Sequence, residues 1–334
     1  MCQIIGLSNV KGLTRKQLNT LAITCQRLVS SQRDGFGFAY ATKQRQTKQH
    51  SYYCEKYVNP TDFKGIGSVG YTKQHLTKLG NAIEMDMLSS GHADAPNGAF
   101  IAHGRIATNG KTIANTHPFR KKGYAMVHNG VVDFEGNEND LKDLYKRYSS
   151  CDSEWLLNSY VYESGHHTWS DYLTGYAATL TITPDNEFIV AKGERASLYA
   201  GAIPSLNDGC LVFATRKDYI AQVAKALELV STPAFELKDN WACKINEEGQ
   251  VKVEKFTDMP SFNRGSLGYT QASMAFEEHQ PKVTYPHTTG GKKKKNYSST
   301  KSNTYVKTGT NSYTKAKPTD YYGMGCGIEN HEVI

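Results

Sequence analysis

Apolar residues recur along this chain with two different periods, and the changes of period mark the elements. Residues 3–7 (QIIGL) form a short continuous apolar run, which predicts a buried strand. Leu18, Leu21, Ala22, Cys25, Leu28 and Val29 then recur at three- and four-residue spacing. That spacing predicts an amphipathic helix, with Thr14 placed to cap its start. GFGFAYAT (35–42) and HSYYCEKYV (50–58) read as strands, the second rich in the aromatic residues that pleated surfaces favour. AFIAHGRIAT (99–108) and GYAMVH (123–128) predict two more, each running into a turn that contains Gly or Asn. Helices are predicted near 138–148 and 153–163. Strands return at 176–183, 187–192 and 210–214, a helix covers about 217–229, and two last strands lie near 241–245 and 250–256. Runs of strands broken by paired helices predict an α+β fold, with sheets covered by helices, and not an alternating βαβ one.

Beyond about residue 258 the periodicity stops. Residues 1–256 are expected to form one folded domain, and 257–334 a tail rich in Lys, Ser, Thr and Tyr. The tail offers too few aliphatic side chains to offset its ordering entropy, which predicts disorder. Charge sharpens this division. From Gly291 onward eight lysines face only Asp320, Glu329 and Glu332, so a net +5 of the total +7 belongs to the tail. The body is close to neutral and is not expected to bind nucleic acid. In the tail, Lys292–Lys295 with Tyr297, Tyr305 and Tyr313 reads as a solvated segment. Its functional version is weak, salt-dependent contact with nucleic acid or another acidic partner.

The 334 residues contain no apolar run of about 18, so no membrane span is expected. The N-terminal residues MCQIIGLSNVKGLTRK lack the pattern of a secretory signal. Seven scattered cysteines without a CxxC pair or matching histidine spacing predict neither a disulfide framework nor a metal site. A reducing, cytoplasmic setting fits them, and no cofactor is expected. His166-His167 beside Trp169 has no carboxylate or cysteine at ligand spacing.

Candidate chemistry begins at Cys2. Removal of Met1, normal before a small residue, would leave one residue with both a thiol and an α-amine. Such an amine, with an ordinary pKa of about 7.7–8.0, can act as the general base for its own thiol. Arg105, at the end of an apolar strand in HGRIATNG (103–110), presents a planar fork suited to a small carboxylate. Val127-His128-Asn129-Gly130 follows Asn115-Thr116-His117-Pro118-Phe119; an Asn-Gly step after a strand supplies a side-chain amide and a backbone N–H, the parts of an oxyanion hole. Asp152, in CDSE (151–154), lies at a helix start and either caps the helix or faces an ammonium group. Taken singly, each has a plainer reading: a small residue opening a strand, a surface ion pair, a hairpin turn, a helix cap. His103, His117 and His128 are expected to be held by backbone hydrogen bonds, not to act in catalysis.

Taken together and in order, MCQIIG, DGFGFAY, HGRIATNG, NTHPF, HNGVV and CDSE resemble the motifs of class II glutamine amidotransferases, members of the N-terminal nucleophile hydrolases. CLVFATRKDYIA (210–221) looks like the family's closing strand and helix, so the likeness covers about residues 2–230. The resemblance implies a four-layer αββα sandwich in which Cys2 attacks the γ-amide of L-glutamine. It implies that Asn129 and Gly130 stabilise the oxyanion, and that Arg105 binds the substrate carboxylate with Thr108 beside it. Asp152 would bind the α-amino group. Ammonia would leave, and water would release glutamate from a thioester.

Three positions depart from the family pattern. Gln3 stands where glycine is usual, which predicts crowding beside the nucleophile. Asn109 replaces a histidine, and Ile106 a tryptophan, found in some members. Such domains usually feed ammonia to a synthase, which here is expected to be a separate acceptor-modifying protein. Two alternatives remain open: an N-terminal nucleophile hydrolase for another amide, and a silent scaffold that retains the fold.

Overall fold

The computed structural model describes residues 2–32, 34–43, 50–58, 81, 83, 96–107, 112–134, 147–163, 173–254, 256 and 259. In chain order the elements are β1 (Gln3–Leu7), α1 (Arg15–Leu28), β2 (Gly35–Lys43), β3 (His50–Val58), β4 (Pro96–Arg105), β5 (Phe119–Lys121) and β6 (Tyr124–Phe134). There follow α2 (Ser153–Glu163), β7 (Leu173–Ile182), β8 (Phe188–Lys192), β9 (Tyr199–Ile203), β10 (Cys210–Ala214), α3 (Lys217–Ala226), β11 (Phe235–Glu236), β12 (Trp241–Ile245) and β13 (Val251–Glu254).

Two antiparallel sheets result. One has the order β11-β9-β10-β1-β4-β2-β3 and the other β13-β12-β8-β7-β6-β5. Strand alternation distributes the side chains between layers. Ile4, Ile101 and Phe213 of the first sheet meet Val127, Leu180, Phe188 and Val190 of the second in a core between the sheets. Ile5, Leu7, Phe100 and Val212 face the other way. They pack under Leu18, Leu21, Ala22 and Cys25 of α1 and Ile220, Val223 and Ala224 of α3. On the far side of the second sheet, Leu156, Leu157 and Tyr160 of α2 cover Met126, Val132, Ile189 and Ala191. Each fully buried Leu, Ile or Phe in these cores contributes on the order of 1.5–3 kcal/mol relative to exposure. The architecture is therefore α+β, with helices on the outer faces of two stacked sheets.

The start of α1 is set locally. The Thr14 hydroxyl accepts the Gln17 N–H at 3.2 Å, and the Gln17 side chain accepts the Thr14 N–H at 3.0 Å. These are the two reciprocal bonds of a capping box.

Several expectations shift. β4 lies three residues earlier than the pattern predicted, so Arg105 is its last residue. β6 does not stop at 128 but runs through Asn129 and Gly130 to Phe134, paired with β7 all the way. Asn129-Gly130 is thus a mid-strand step and not a turn. α3 ends at Ala226, with the Leu227 N–H closing its last turn. β5, β9 and β11 were not foreseen. The helix expected near 138–148, the His166-His167 pair, Thr108, Asn109 and the tail lie outside the described residues. Among the described residues no helix is long and apolar enough to cross a membrane. The described cysteines, Cys2, Cys25, Cys54, Cys151, Cys210 and Cys243, are free thiols.

Candidate functional site

Cys2 precedes β1, and the register Gln3↔Gly104 continues to bring it opposite Arg105. Alternation turns Cys2 to the face of Ile4, toward the second sheet. Arg105 shares the corresponding face of β4 with Ile101 and His103. Asn129 shares a face of β6 with Val127, toward the first sheet. β1 and β4 both lie against β6, so these residues approach one end of the intersheet space.

The Cys2 side chain is half-buried, and its Sγ lies 3.6 Å from the Ile106 carbonyl oxygen, to which it donates. Burial pushes the thiol pKa up; the hydrogen bond to the Ile106 backbone and the Arg105 charge act against this, whereas Asp152 adds to it. Arg105 is buried at 2% exposure. A cation and an anion are thus within electrostatic reach of the thiol.

Asp152 is held by two strand-and-helix contacts. Its Oδ2 accepts the Val132 N–H at 2.9 Å and its Oδ1 accepts the Ser153 N–H at 3.0 Å. The next N–H groups of α2 go elsewhere, Glu154 to the Cys151 carbonyl and Trp155 to the Asp152 carbonyl. Asp152 therefore ties α2 to β6 two residues past Gly130. Oδ1 also lies 3.4 Å from Cys151 Sγ and 3.5 Å from the Ser153 hydroxyl, so Oδ2, with the single Val132 bond, is the less occupied oxygen. Glu154 has a separate role: its carboxylate accepts the N–H groups of Tyr148 and Ser149 and the Ser149 hydroxyl, shaping the strap before α2.

Asn129 is buried, and its Oδ1 has no hydrogen-bond partner. An orphaned acceptor inside a protein is costly, so this oxygen adds nothing to stability. Gly130 is required sterically. A Cβ there would come within 2.1 Å of the Tyr176 carbonyl oxygen and 2.6 Å of His128 Nε2.

Behind these groups lies a cluster of three buried histidines. His103 and His117 stack with ring centroids 3.8 Å apart, and His128 is 6.4 Å from His117. His128 Nδ1 is 2.8 Å from the Ser153 hydroxyl. Backbone contacts act on His103, from His128, and on His128, from Tyr176, whereas the ring nitrogens of His117 have no partner within hydrogen-bond distance. His117 is held by stacking and burial. Burial, above all, drives the pKa of all three down. The loop that carries His117 runs so close to β2 that a Cβ at Gly37 would lie 2.0 Å from the His117 carbonyl oxygen. Among the described residues no group of His, Cys, Asp or Glu is arranged to hold a metal ion.

Three partners escaped the sequence. Asp34, buried just before GFGFAY, accepts the Ala107 N–H on Oδ2 at 2.8 Å. Ser153 reaches His128. The Tyr219 hydroxyl of α3 lies 2.6 Å from Gln3 Oε1 and 2.7 Å from the Leu28 carbonyl oxygen. This last contact corrects the expectation of crowding by Gln3. Adjacent strand residues point to opposite faces, so Gln3 leaves toward α3 while Cys2 faces the other sheet.

No family model matches the chain, and no curated protein matches it. Among solved structures it is similar to the glutamine phosphoribosylpyrophosphate (PRPP) amidotransferase from B. subtilis complexed with ADP and GMP. That likeness has 18% identity over 77% of this chain and 49% of the other, with a TM-score of 0.48. It is also similar to the allosteric regulatory enzyme of purine biosynthesis, at 19% identity over 77% of this chain and 49% of that one, with a TM-score of 0.50. The chain aligns with about half the length of these proteins. At such identity the second likeness shows a shared fold.

Proposed function

We propose that the chain hydrolyses the γ-amide of glutamine with Cys2 as nucleophile, once Met1 has been removed. The observation that carries this reading is the placement of opposite charges at the thiol: Arg105 and Asp152 both act electrostatically on Cys2. A free amino acid presents a carboxylate and an ammonium group, and a site reading both needs one charge of each sign.

In the proposed reaction the Cys2 α-amine takes the thiol proton, and sulfur attacks the γ-amide carbon. The oxyanion is met by the Asn129 side-chain amide and the Gly130 N–H. Collapse breaks the C–N bond, and the α-ammonium returns its proton to the departing ammonia. Water, deprotonated by the same amine, attacks the γ-glutamyl thioester and frees glutamate and the thiol. Arg105, with Thr108 beside it, holds the substrate carboxylate, and Asp152 holds its ammonium group. No cofactor or metal takes part in these steps. The body is then a four-layer αββα glutaminase domain over residues 1–256, with 257–334 as a separate tail. The ammonia passes to an acceptor-modifying partner in trans, and the tail makes weak contact with an acidic partner.

Intact mass before and after incubation with a diazo-ketone analogue of glutamine tests the core of this reading. The expected result is a starting mass without Met1 and a single adduct that glutamine blocks and Cys2→Ala lacks. A chain that keeps Met1 and takes no adduct would instead be a silent scaffold.

A further inference from the structure

We infer that Asp34 positions the nucleophile, acting through the single peptide unit between Ile106 and Ala107. The Asp34 carboxylate accepts the Ala107 N–H at 2.8 Å, and the Ile106 carbonyl oxygen accepts from Cys2 Sγ at 3.6 Å. That N–H and that carbonyl belong to one planar trans peptide, where they point in opposite directions. Fixing the N–H therefore fixes the direction of the carbonyl, and with it the site that receives the thiol. The Asp34 side chain is 3% exposed, so little water competes for the amide. A bond to an ionised carboxylate is about twice as strong as one between neutral groups, and it polarises the peptide toward the thiol.

The backbone of Asp34 holds the same segment independently. Its N–H donates to the Arg105 carbonyl oxygen at 3.0 Å, and Gly35 pairs with Arg105 in the β2–β4 ladder. Two jobs are thus separated on one residue. The backbone fixes Arg105 at the end of β4. The side chain orients the following peptide, the one that faces Cys2. A side-chain substitution at 34 should disturb the nucleophile while leaving Arg105 in place.

This inference rests on the reading of Cys2 as nucleophile, and its test has an arm that needs no glutamine. Asp34→Ala and Asp34→Asn are made in the full chain. Turnover of glutamine, the rate of Cys2 carbamidomethylation by iodoacetamide located by peptide mass, and the melting curve are measured for each. In Asp34→Ala, kcat should fall at least 10-fold while KM stays within about threefold, since Arg105 is still held. Alkylation of Cys2 should rise threefold or more, because the thiol is no longer held on a fixed carbonyl. Asp34→Asn keeps a neutral acceptor and should move both quantities in the same directions by smaller factors. If Asp34→Ala does not fold, Asp34→Asn decides alone. Wild-type kcat and alkylation rate in a folded variant would overturn the inference, as would a parallel loss of both in proportion to unfolding. A wild-type protein that turns over no glutamine would sink the glutaminase reading, and the alkylation arm would still decide the role of Asp34.

Discussion

The imidazoles of His103 and His117 lie face to face with centroids 3.8 Å apart, joining the end of β4 to the loop that precedes β5. Neither ring could gain a proton there without bringing a charge into the core beside Arg105 and beside the other ring. Burial is the main cause of the low pKa of each. The charges of His128 and Arg105 add to it at His103, and those of His103, His128, Lys56 and Arg105 at His117. At His128 burial also dominates, opposed in part by Asp152 and by a hydrogen bond to the Tyr176 backbone.

This cluster predicts steep loss of stability in mild acid. The three imidazoles stay neutral when folded, whereas in the unfolded chain they take up protons below about pH 6.5. The unfolded state then binds more protons, so stability rises with pH through this window and falls as pH is lowered. Each histidine that titrates only in the unfolded chain contributes a slope of about 1.4 kcal/mol per pH unit. Melting temperatures between pH 7.5 and 5 should be flat above 6.5 and drop below it. His128→Gln should lessen the drop; an unchanged melting point down to pH 5 would mean that the rings charge freely in the folded protein.

Neighbouring substitutions on β6 should separate catalysis from folding. Asn129→Ala removes an amide oxygen that has no partner, so its stability cost should be small. Loss of an oxyanion donor lowers turnover by about 10²–10³, and that is the effect expected. Gly130→Ala places a methyl group against the Tyr176 carbonyl and the His128 ring, and the carbonyl belongs to a paired strand that cannot move aside. Overpacking of this kind costs about 1–3 kcal/mol. Urea midpoints and kcat for the two variants check the contrast. Equal midpoints would show that the β6–β7 ladder yields at this step.

Asp152 offers a test of what the site reads. Its two oxygens hold the N–H groups of Val132 and Ser153, and Asp152→Asn keeps one oxygen acceptor while removing the charge. The KM for glutamine should rise about 10- to 100-fold, as for a lost hydrogen bond to a charged group. The preference for glutamine over its deamino analogue should collapse, because that analogue has no ammonium to lose. If the preference survives, the carboxylate serves only to tie α2 to β6.

Local signals were the legible ones. The Thr14 and Gln17 box lies within four residues, and the apolar spacing of α1 follows directly from its packing on the first sheet. The ordered motifs brought Cys2, Arg105, Asn129 and Asp152 to notice; the first three approach one end of the intersheet space, and Asp152 joins the start of α2 to β6. The Asn129-Gly130 step misled because the pair is so common in turns; here Gly130 is demanded by a neighbouring strand that only the fold supplies. β5 is a three-residue edge strand and β9 has only Ala, Gly and Ala between Tyr199 and Ile203, so neither carried a period to read. Asp34 to Ala107 and Tyr219 to Gln3 span 73 and 216 residues, and nothing local announces contacts of that range.

That last contact yields a prediction about the strand behind the nucleophile. The Tyr219 hydroxyl has one proton, yet two acceptors, Gln3 Oε1 and the Leu28 carbonyl, stand within 2.7 Å. Turning the Gln3 amide so that its NH₂ group faces the phenol satisfies both, with Tyr219 accepting from Gln3 and donating to Leu28. The ring is buried, and burial is the main cause of its raised pKa, so the phenol remains protonated and the bridge neutral across the ordinary pH range. Tyr219→Phe strands the Leu28 carbonyl and the Gln3 amide together and should cost about 1–3 kcal/mol. Gln3→Ala leaves the phenol its bond to Leu28 and should cost less. The double variant should then be more stable than the sum of the two losses predicts, by roughly 0.5–1 kcal/mol. Urea midpoints for the four proteins close the cycle. Strict additivity would mean that Gln3 and Tyr219 are neighbours without being partners, and the glutamine at position 3 would need another explanation.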